Sequence, residues 1–202
     1  MTPVSYFQIS AEALVPSRRE IGARLGSHGR EVPEELIEKA RDDLVPHIRA
    51  GCSFVRVPVT RTGEGAVDLG FGPIESRDLA SCLVGCSRAV VSAVTLGSEV
   101  DRYLLRLGAV SPAGQFTADA LASAYAEAAC DYAEKIIFGD APRSFRFSPG
   151  YGDFSLSFQP DVLRLTDAGR RLGITLGRSF LMSPSKSVTS VTGIKDENVD
   201  ET

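Results

Sequence analysis

The chain has 202 residues, of which 43% are hydrophobic and 24% charged, so it can form one folded domain with a sizeable core. A formal charge of −4 argues against a protein that binds nucleic acid or an anionic membrane. No apolar run reaches the length of a membrane span, and the first residues lack the basic stretch and apolar core of a secretory signal. We therefore expect a cytoplasmic protein.

The four cysteines, Cys52, Cys82, Cys86 and Cys130, have no CxxC spacing. Cys82 and Cys86 lie one helical turn apart, which leaves a metal or redox pair open as an interpretation. The chain has only two histidines to help complete a tetrahedral metal site. Free buried cysteines are common in reduced proteins, and packing is therefore the favoured role.

The first part of the chain predicts strands and a helix in alternation. Val4–Ile9 alternates between apolar and polar residues, as in an edge strand, and Ser27–Arg30 is typical of a turn. A helix begins at Pro33, where the missing N–H does no harm. Strands over Ser53–Val59 and Val67–Phe71, joined by a short turn, predict a hairpin, so at least part of the sheet is antiparallel.

Ser76 is the expected N-cap of the next helix, and Arg88–Val94 predicts a buried strand. That strand runs into Val94–Asp101, a strand-glycine-helix junction of the kind that can hold an anion. The junction lacks the dinucleotide fingerprint and the lysine of a phosphate loop. We therefore favour a packing role for it.

Ala113–Ile137 predicts the longest helix, which we expect to be central in the fold. Its apolar face contains the following residues: Phe116, Ala120, Leu121, Ala124, Tyr125 and Ala128. Glu127 is a carboxylate amid these alanines and tyrosine. Two interpretations stay open for Glu127, a functional carboxylate and a carboxylate that simply faces solvent.

The last part of the chain predicts one amphipathic helix over Phe158–Leu172 and an alternating strand over Lys186–Gly193. Residues 195–202 are acidic and polar, and we expect them to form a disordered tail. No linker or internal repeat interrupts the rest. Residues 1–194 are therefore expected to form a single domain.

The stretch Arg146–Pro160, with the sequence RFSPGYGDFSLSFQP, is the candidate functional segment. Pro149 fixes its own φ, and Gly150 can adopt positive φ and lets a ligand approach the backbone closely. Tyr151 is thus expected at the tip of a corner, with Arg146 arriving from an extended segment. An ordinary surface turn and a site for an unrelated small anionic ligand are the alternatives.

Segments in the second half of the chain resemble the activation (reactivation) domain of cobalamin-dependent methionine synthase. These segments are Arg146–Tyr151, Gly173–Leu176 and Ser183–Thr189, in the same order as in that family. Upstream, Leu83–Cys86, Val94–Asp101 and the alanine-rich helix with Glu127 resemble the short stand-alone relatives of the domain. The similarity runs from about Leu25 to Gly193.

The resemblance implies an α+β fold, a twisted antiparallel sheet flanked by helices with one long Ala-rich central helix. It also implies a shallow groove that binds S-adenosylmethionine. The implied role is to support reductive methylation, or reactivation, of cobalamin held by a separate corrinoid-binding methyltransferase such as methionine synthase. The electron that reduces the inactive cobalamin would come from a flavodoxin-like or other reductant.

The same resemblance assigns roles to individual residues. Arg146 would pair with the methionine carboxylate, while Ser148 and Gly150 would offer backbone contacts. Tyr151, the candidate catalytic residue, matches a tyrosine between the methyl donor and the corrin, where its ring face would favour the sulfonium. Glu127 is the candidate carboxylate of the long helix. The reduced cobalamin is itself the nucleophile, so no general base is implied.

Two departures from the family pattern lie near the implied site. A glutamate of the family's long helix aligns with Ser123, and the family's Thr-Glu-Ser reads Gly177-Arg178-Ser179 after Leu176, with a cation in place of the carboxylate. These departures leave an alternative from another class. The chain would then be a non-catalytic docking module that caps a corrinoid protein without binding S-adenosylmethionine.

Overall fold

The computed structural model describes residues 3–26 and 33–196. The predicted turn at Ser27–Arg30 and residues 197–202 of the expected tail lie outside the described residues. The helices are α1 (Arg18–Arg24), α2 (Glu34–Leu44), α3 (Arg77–Cys82), α4 (Ser98–Val110), α5 (Pro112–Phe138), α6 (Gln159–Leu165) and α7 (Ala168–Leu172). The strands are β1 (Ser5–Ile9), β2 (Ala50–Pro58), β3 (Thr60–Gly63), β4 (Ala66–Asp68), β5 (Pro73–Glu75), β6 (Cys86–Thr95), β7 (Thr175–Leu176), β8 (Met182–Ser183) and β9 (Ser187–Lys195).

The central sheet has four strands in the order β1-β2-β6-β9, and each neighbouring pair is antiparallel. β1 lies at the edge, as the alternation in Val4–Ile9 predicts. Val55, Val91 and Val191 stand opposite one another across β2, β6 and β9. Strands β3-β4-β5 and β7-β8 form two smaller sheets.

The predicted hairpin between Ser53–Val59 and Val67–Phe71 is wrong. β2 pairs with β1 and β6, whereas the segment from Thr60 to Glu75 forms the separate β3-β4-β5 sheet. Pro58 lies at the end of β2, and proline cannot donate to a further ladder. The chain therefore leaves the central sheet at that point instead of turning back along it.

Both faces of the central sheet are buried. Successive side chains of a strand point to opposite faces, so Phe54 joins a cluster with α5 while Val55 joins one with β4, β5, α3 and α6. In β6, Val90 joins the cluster that contains Phe54, and Val91 joins the cluster that contains Val55. The sheet thus lies between a helical layer and a mixed layer, and most residues of β2 and β6 are buried whichever way they point, with Arg56, Pro58, Ser87 and Arg88 as the exposed exceptions.

Helix α5 confirms the predicted long central helix, with 27 residues. The Ser111 hydroxyl caps it by accepting from the Gly114 N–H at 3.1 Å. Phe116 does not belong to the buried face as predicted, because it is 58% exposed while Thr117 and Ala118 fill the buried side of that turn. Among the described helices, none is long and apolar enough to cross a membrane.

The helix predicted over Phe158–Leu172 is divided into α6 and α7. Asp167 has a φ of 53°, in the left-handed region, and ends the first helix. The buried Thr166 hydroxyl donates back to the Val162 carbonyl at 2.8 Å, a bond that competes with the helical pattern. The Ser53 hydroxyl of β2 donates to the Thr166 carbonyl and so fixes the break against the sheet.

The folded chain continues slightly beyond the expected domain end at residue 194. β9 includes Lys195, whose N–H donates to the Pro142 carbonyl at 3.0 Å. The Asp196 carboxylate accepts from the Ser87 N–H at 3.0 Å. Lys195 and Asp196, which the prediction assigned to the tail, therefore have partners in the fold.

Candidate functional site

The segment before the corner runs along the free edge of β9. Phe147 and Val191 exchange two backbone hydrogen bonds, of 2.9 and 2.8 Å, and the Ser144 N–H donates to the Gly193 carbonyl at 3.0 Å. This is antiparallel pairing outside the regular strands. It holds the backbone of Arg146 extended, as the sequence predicts.

The corner that follows is closed by its own backbone. Gly150 has a φ of 95°, and its N–H donates to the Phe154 carbonyl at 2.7 Å, while the Tyr151 N–H donates to the Ser148 carbonyl at 3.1 Å. Phe154 is buried and stacks on Phe147, with ring centroids 6.3 Å apart. Tyr151 is thereby held at the tip of the corner and is 67% exposed.

Asp153, just after the corner, caps helix α3. Its carboxylate accepts from the Arg77 N–H at 2.8 Å, from the Asp78 N–H at 3.3 Å and from the Ser76 hydroxyl. The hydrogen bond from Ser76, followed by those from the backbone, lowers the pKa of Asp153 below its ordinary value. Gly152 next to it has a φ of 51°, and a Cβ there would collide with the Asp78 carboxylate.

The guanidinium of Arg146 reaches helix α5, where carboxylates occupy both of its terminal nitrogens. Nη1 lies 2.7 Å from Asp131 and 3.6 Å from Glu134, and Nη2 lies 3.2 Å from Glu127. Burial lowers the pKa of Arg146, but the hydrogen bond to Asp131 and the neighbouring negative charges outweigh it, so the pKa is raised. Arg146 is therefore a fixed cation.

Two further arginines approach the same carboxylates from outside. Arg24 of α1 lies 3.6 Å from Glu127, and Arg143 lies 3.5 Å from Glu134. Within the described ranges, the Glu134 Oε1 atom is buried without a hydrogen-bond partner. Glu127 is thus ion-paired to two arginines and 31% exposed.

These residues border a groove of about 470 Å³ between α5 and the corner. Its lining includes Glu127, Arg146, Ser148 and Tyr151, so the fold brings together four of the five predicted site residues. Gly150 is outside the lining and instead faces the Leu156 side chain. A larger cavity of about 800 Å³ beside β2 and α6 contains none of the predicted site residues.

The sequence interpretation missed the two other carboxylates of the groove, Asp131 and Glu134. The signal that would have found them is the spacing of Glu127, Asp131 and Glu134, which puts carboxylates at i, i+4 and i+7 on one face of a helix. It was missed because Arg146, their common partner, is remote in sequence from the helix surface that it contacts.

Ser123, which aligns with a family glutamate, lies one turn before Glu127 on α5. Its hydroxyl accepts from the Lys186 ammonium at 2.9 Å, and Lys186 also pairs with Asp119 at 2.8 Å. The Lys186 side chain is only 12% exposed. Ser123 therefore has a structural partner of its own. Arg178, the second departure, lies exposed between β7 and β8.

The four cysteines are free thiols. Burial raises the pKa of Cys52 to about 12 and also raises that of Cys130, so both stay protonated. Cys86 is buried and Cys82 partly so. Among the described residues, no group of three or more His, Cys, Asp or Glu side chains could hold a metal ion.

Comparisons with known proteins place the fold. No protein-family model matches the chain, and no curated protein matches its sequence. A crystal structure of the MetH reactivation domain bound to AdoHcy superposes with a TM-score of 0.73 at 16% identity, covering 98% of this chain and 80% of that chain. The chain therefore has the fold of that domain, an α+β fold with antiparallel sheets and a long central helix, and the expected fold class is confirmed.

Proposed function

We propose that the chain binds S-adenosylmethionine, and its product S-adenosylhomocysteine, in the groove between α5 and the Arg146–Tyr151 corner. Its role would be to support reductive methylation of cobalamin held by a separate corrinoid-binding methyltransferase such as methionine synthase. The observation that carries this proposal is the fold, shared with a MetH reactivation domain bound to AdoHcy, together with the groove where the predicted residues converge.

The groove has the chemical groups that such a ligand needs. Its volume of about 470 Å³ falls within the roughly 300–1,000 Å³ of small-molecule sites. Arg146 offers a cation for the carboxylate, and Glu127 offers acceptors for an ammonium or ribose hydroxyls. Tyr151, 67% exposed at the rim, offers a ring face to a sulfonium.

Each residue has a defined task in this proposal. S-adenosylmethionine supplies the methyl group, the reduced corrinoid of the partner supplies the electron pair, and S-adenosylhomocysteine leaves as the thioether. Arg146 anchors the amino-acid end of the ligand, and the rigid corner presents Tyr151 beside the reacting methyl. The chain contributes position and exclusion of water rather than a base. A flavodoxin-like or other reductant would supply the electron to the partner.

Calorimetric titration with S-adenosylmethionine tests the binding step. We expect saturable binding that Tyr151→Ala weakens by about twofold to thirtyfold, since a ring contact with a cation contributes about 0.5–2 kcal/mol. Tyr6→Ala on the opposite edge strand is the matched control and should leave the affinity unchanged. The absence of binding to the folded wild-type protein would contradict the proposal.

A remethylation assay tests the second step. Wild-type chain, added to a corrinoid methyltransferase with inactive cobalamin, a reductant and S-adenosylmethionine, should restore methylcobalamin. Tyr151→Phe keeps the ring and loses the hydroxyl, so a large loss of rate would assign the hydroxyl a part in the transfer. Unchanged remethylation by both Tyr151→Phe and Tyr151→Ala would remove Tyr151 from the mechanism.

One observation favours a second candidate function, a docking module that caps a corrinoid protein without the methyl donor. Both terminal nitrogens of Arg146 are occupied by carboxylates of the chain itself. A pull-down of a corrinoid protein without S-adenosylmethionine, combined with the titration above, separates the two functions. Corrinoid-protein binding by a chain that fails to bind the methyl donor would establish the docking module.

A further inference from the structure

Asp131 is the carboxylate closest to Arg146 and the one most open to solvent. Its Oδ1 lies 2.7 Å from Nη1, and its side chain is 70% exposed. Glu127 and Glu134 lie farther from the guanidinium, at 3.2 and 3.6 Å, and are 31% and 17% exposed. The shortest contact of Arg146 is therefore made by the residue that can most easily return to water.

The three carboxylates also differ in their other partners. Glu127 pairs with Arg24 as well, and Glu134 pairs with Arg143. In the described part of the chain, the ion pair with Arg146 is the only one that Asp131 makes. Glu127 and Glu134 are thus held from two sides, whereas a single contact holds Asp131 on Arg146.

We infer, building on the proposed function, that Asp131 is an affinity- and specificity-determining residue that competes with the ligand carboxylate for Arg146. Asp131 presents to Nη1 the same chemical group that the amino-acid end of S-adenosylmethionine would present. An incoming carboxylate takes this position only when Asp131 swings out into solvent. Glu127 and Glu134 stay in place and keep the guanidinium oriented.

This competition predicts that loss of the Asp131 charge strengthens ligand binding, whereas overall charge alone predicts that it weakens binding. S-adenosylmethionine has two positive groups and one negative group, so removal of a negative charge from the groove would weaken its binding by Coulomb interaction alone. Removal of a competitor strengthens it instead. Asp131→Asn, which keeps the shape and loses the charge, therefore separates the two effects.

The test is calorimetric titration of the full chain with three probes: S-adenosylmethionine, S-adenosylhomocysteine and 5′-methylthioadenosine. The first two have the amino-acid carboxylate, and the third lacks it. We expect Asp131→Asn to bind the first two about threefold to tenfold more tightly and to bind 5′-methylthioadenosine within about twofold of wild type. Asp42→Asn is the matched control, because Asp42 is also 70% exposed and also pairs with an arginine; it should change none of the three affinities.

The outcomes distinguish this inference from the function on which it rests. Tighter binding of both carboxylate ligands by Asp131→Asn than by a wild type that itself binds them supports the competition. Binding by the variant alone overturns the proposed function, because the wild-type chain would then not bind the methyl donor. Wild-type binding that Asp131→Asn leaves equal or weaker overturns the role of Asp131 and leaves the proposed function standing. No binding of any adenosyl ligand by either protein overturns the proposed function and the inference together.

Discussion

Two cation clusters lie along helix α5, and they differ in how their charges are matched. Near the start of the helix, Lys186 pairs with Asp119 at 2.8 Å and donates a hydrogen bond to the neutral Ser123 hydroxyl. Farther along, Arg146 is surrounded by three carboxylates. The first cluster is one cation with one anion, and the second places three carboxylates around one central cation, with Arg24 and Arg143 as outer partners.

The difference indicates what each cluster does. Lys186 is 12% exposed, and its charge is balanced locally, as in a contact that fastens the start of β9 to α5. The Arg146 cluster borders a groove and includes the highly exposed Asp131, and one oxygen of Glu134 has no partner among the residues that the structure describes. In the Arg146 cluster, a ligand carboxylate could replace one of the three carboxylates that contact the cation. In the Lys186 cluster, removal of Asp119 would leave the ammonium without its anion.

The largest expected effect follows from Arg146→Met, which leaves three carboxylates without their common cation. We expect the free energy of unfolding to fall by about 2 kcal/mol, less than the roughly 3–5 kcal/mol of a fully buried pair, because Arg146 is still 24% exposed. Urea denaturation measures it. Since carboxylate repulsion is screened by salt, the loss should shrink at about 0.5 M salt.

Arg102→Met provides the control for Arg146→Met, because Arg102 pairs with Glu99 on α4 and is 59% exposed. It should cost at most about 0.5 kcal/mol. An equal loss in both variants would mean that the carboxylate cluster adds nothing specific to stability.

Lys186→Met is expected to have a smaller effect, about 1 kcal/mol in the same measurement. Methionine keeps the apolar stem, and Asp119, already 53% exposed, returns to water. Ligand affinity should stay unchanged, because Lys186 is outside the groove lining. If the affinity fell as it does in groove variants, the two clusters would not be functionally distinct.

The smallest effect concerns Asp153, whose partners are backbone N–H groups and a hydroxyl rather than a cation. Its pKa is lowered from 3.8, first by the hydrogen bond from Ser76. A carboxyl with a lowered folded-state pKa stabilises the fold fully above its unfolded value and loses that contribution as the pH falls through the folded value.

The measurement compares wild type with Asp153→Asn by urea denaturation at about pH 6 and again below about pH 3. Wild type should be the more stable protein at the higher pH, and the difference should decrease at the lower one. A difference that persists unchanged in acid would mean that Asp153 caps α3 by shape and not by its charge.

The sequence correctly predicted those elements that depend mainly on residues close together in the chain. The long helix α5, the Ser76 cap and the strand β6 follow directly from alanine content, capping chemistry and apolar runs. The hairpin was wrong because local turn signals do not reveal that β2 is apolar on both faces and needs a partner on each edge. The break at Asp167 was missed because it depends on a contact with β2.

The candidate site likewise has features that were predictable from the sequence and features that were not. The Pro-Gly corner and the exposure of Tyr151 were predictable, since they depend on backbone preferences of neighbouring residues. The ion pairs of Arg146 were not predictable from the sequence. Asp131 and Glu134 contact its guanidinium only because residues 143–147 lie along β9 beside α5.

The sequence by itself determined the central helix and the position of the corner, because these depend on periodicity and on local backbone chemistry, while the resemblance to a known family implied the fold class. Only the tertiary structure decided which strands pair, where the helix predicted over Phe158–Leu172 breaks and which charges surround Arg146. Those features depend on side chains that are distant in the chain and become neighbours only when both faces of the sheet are covered.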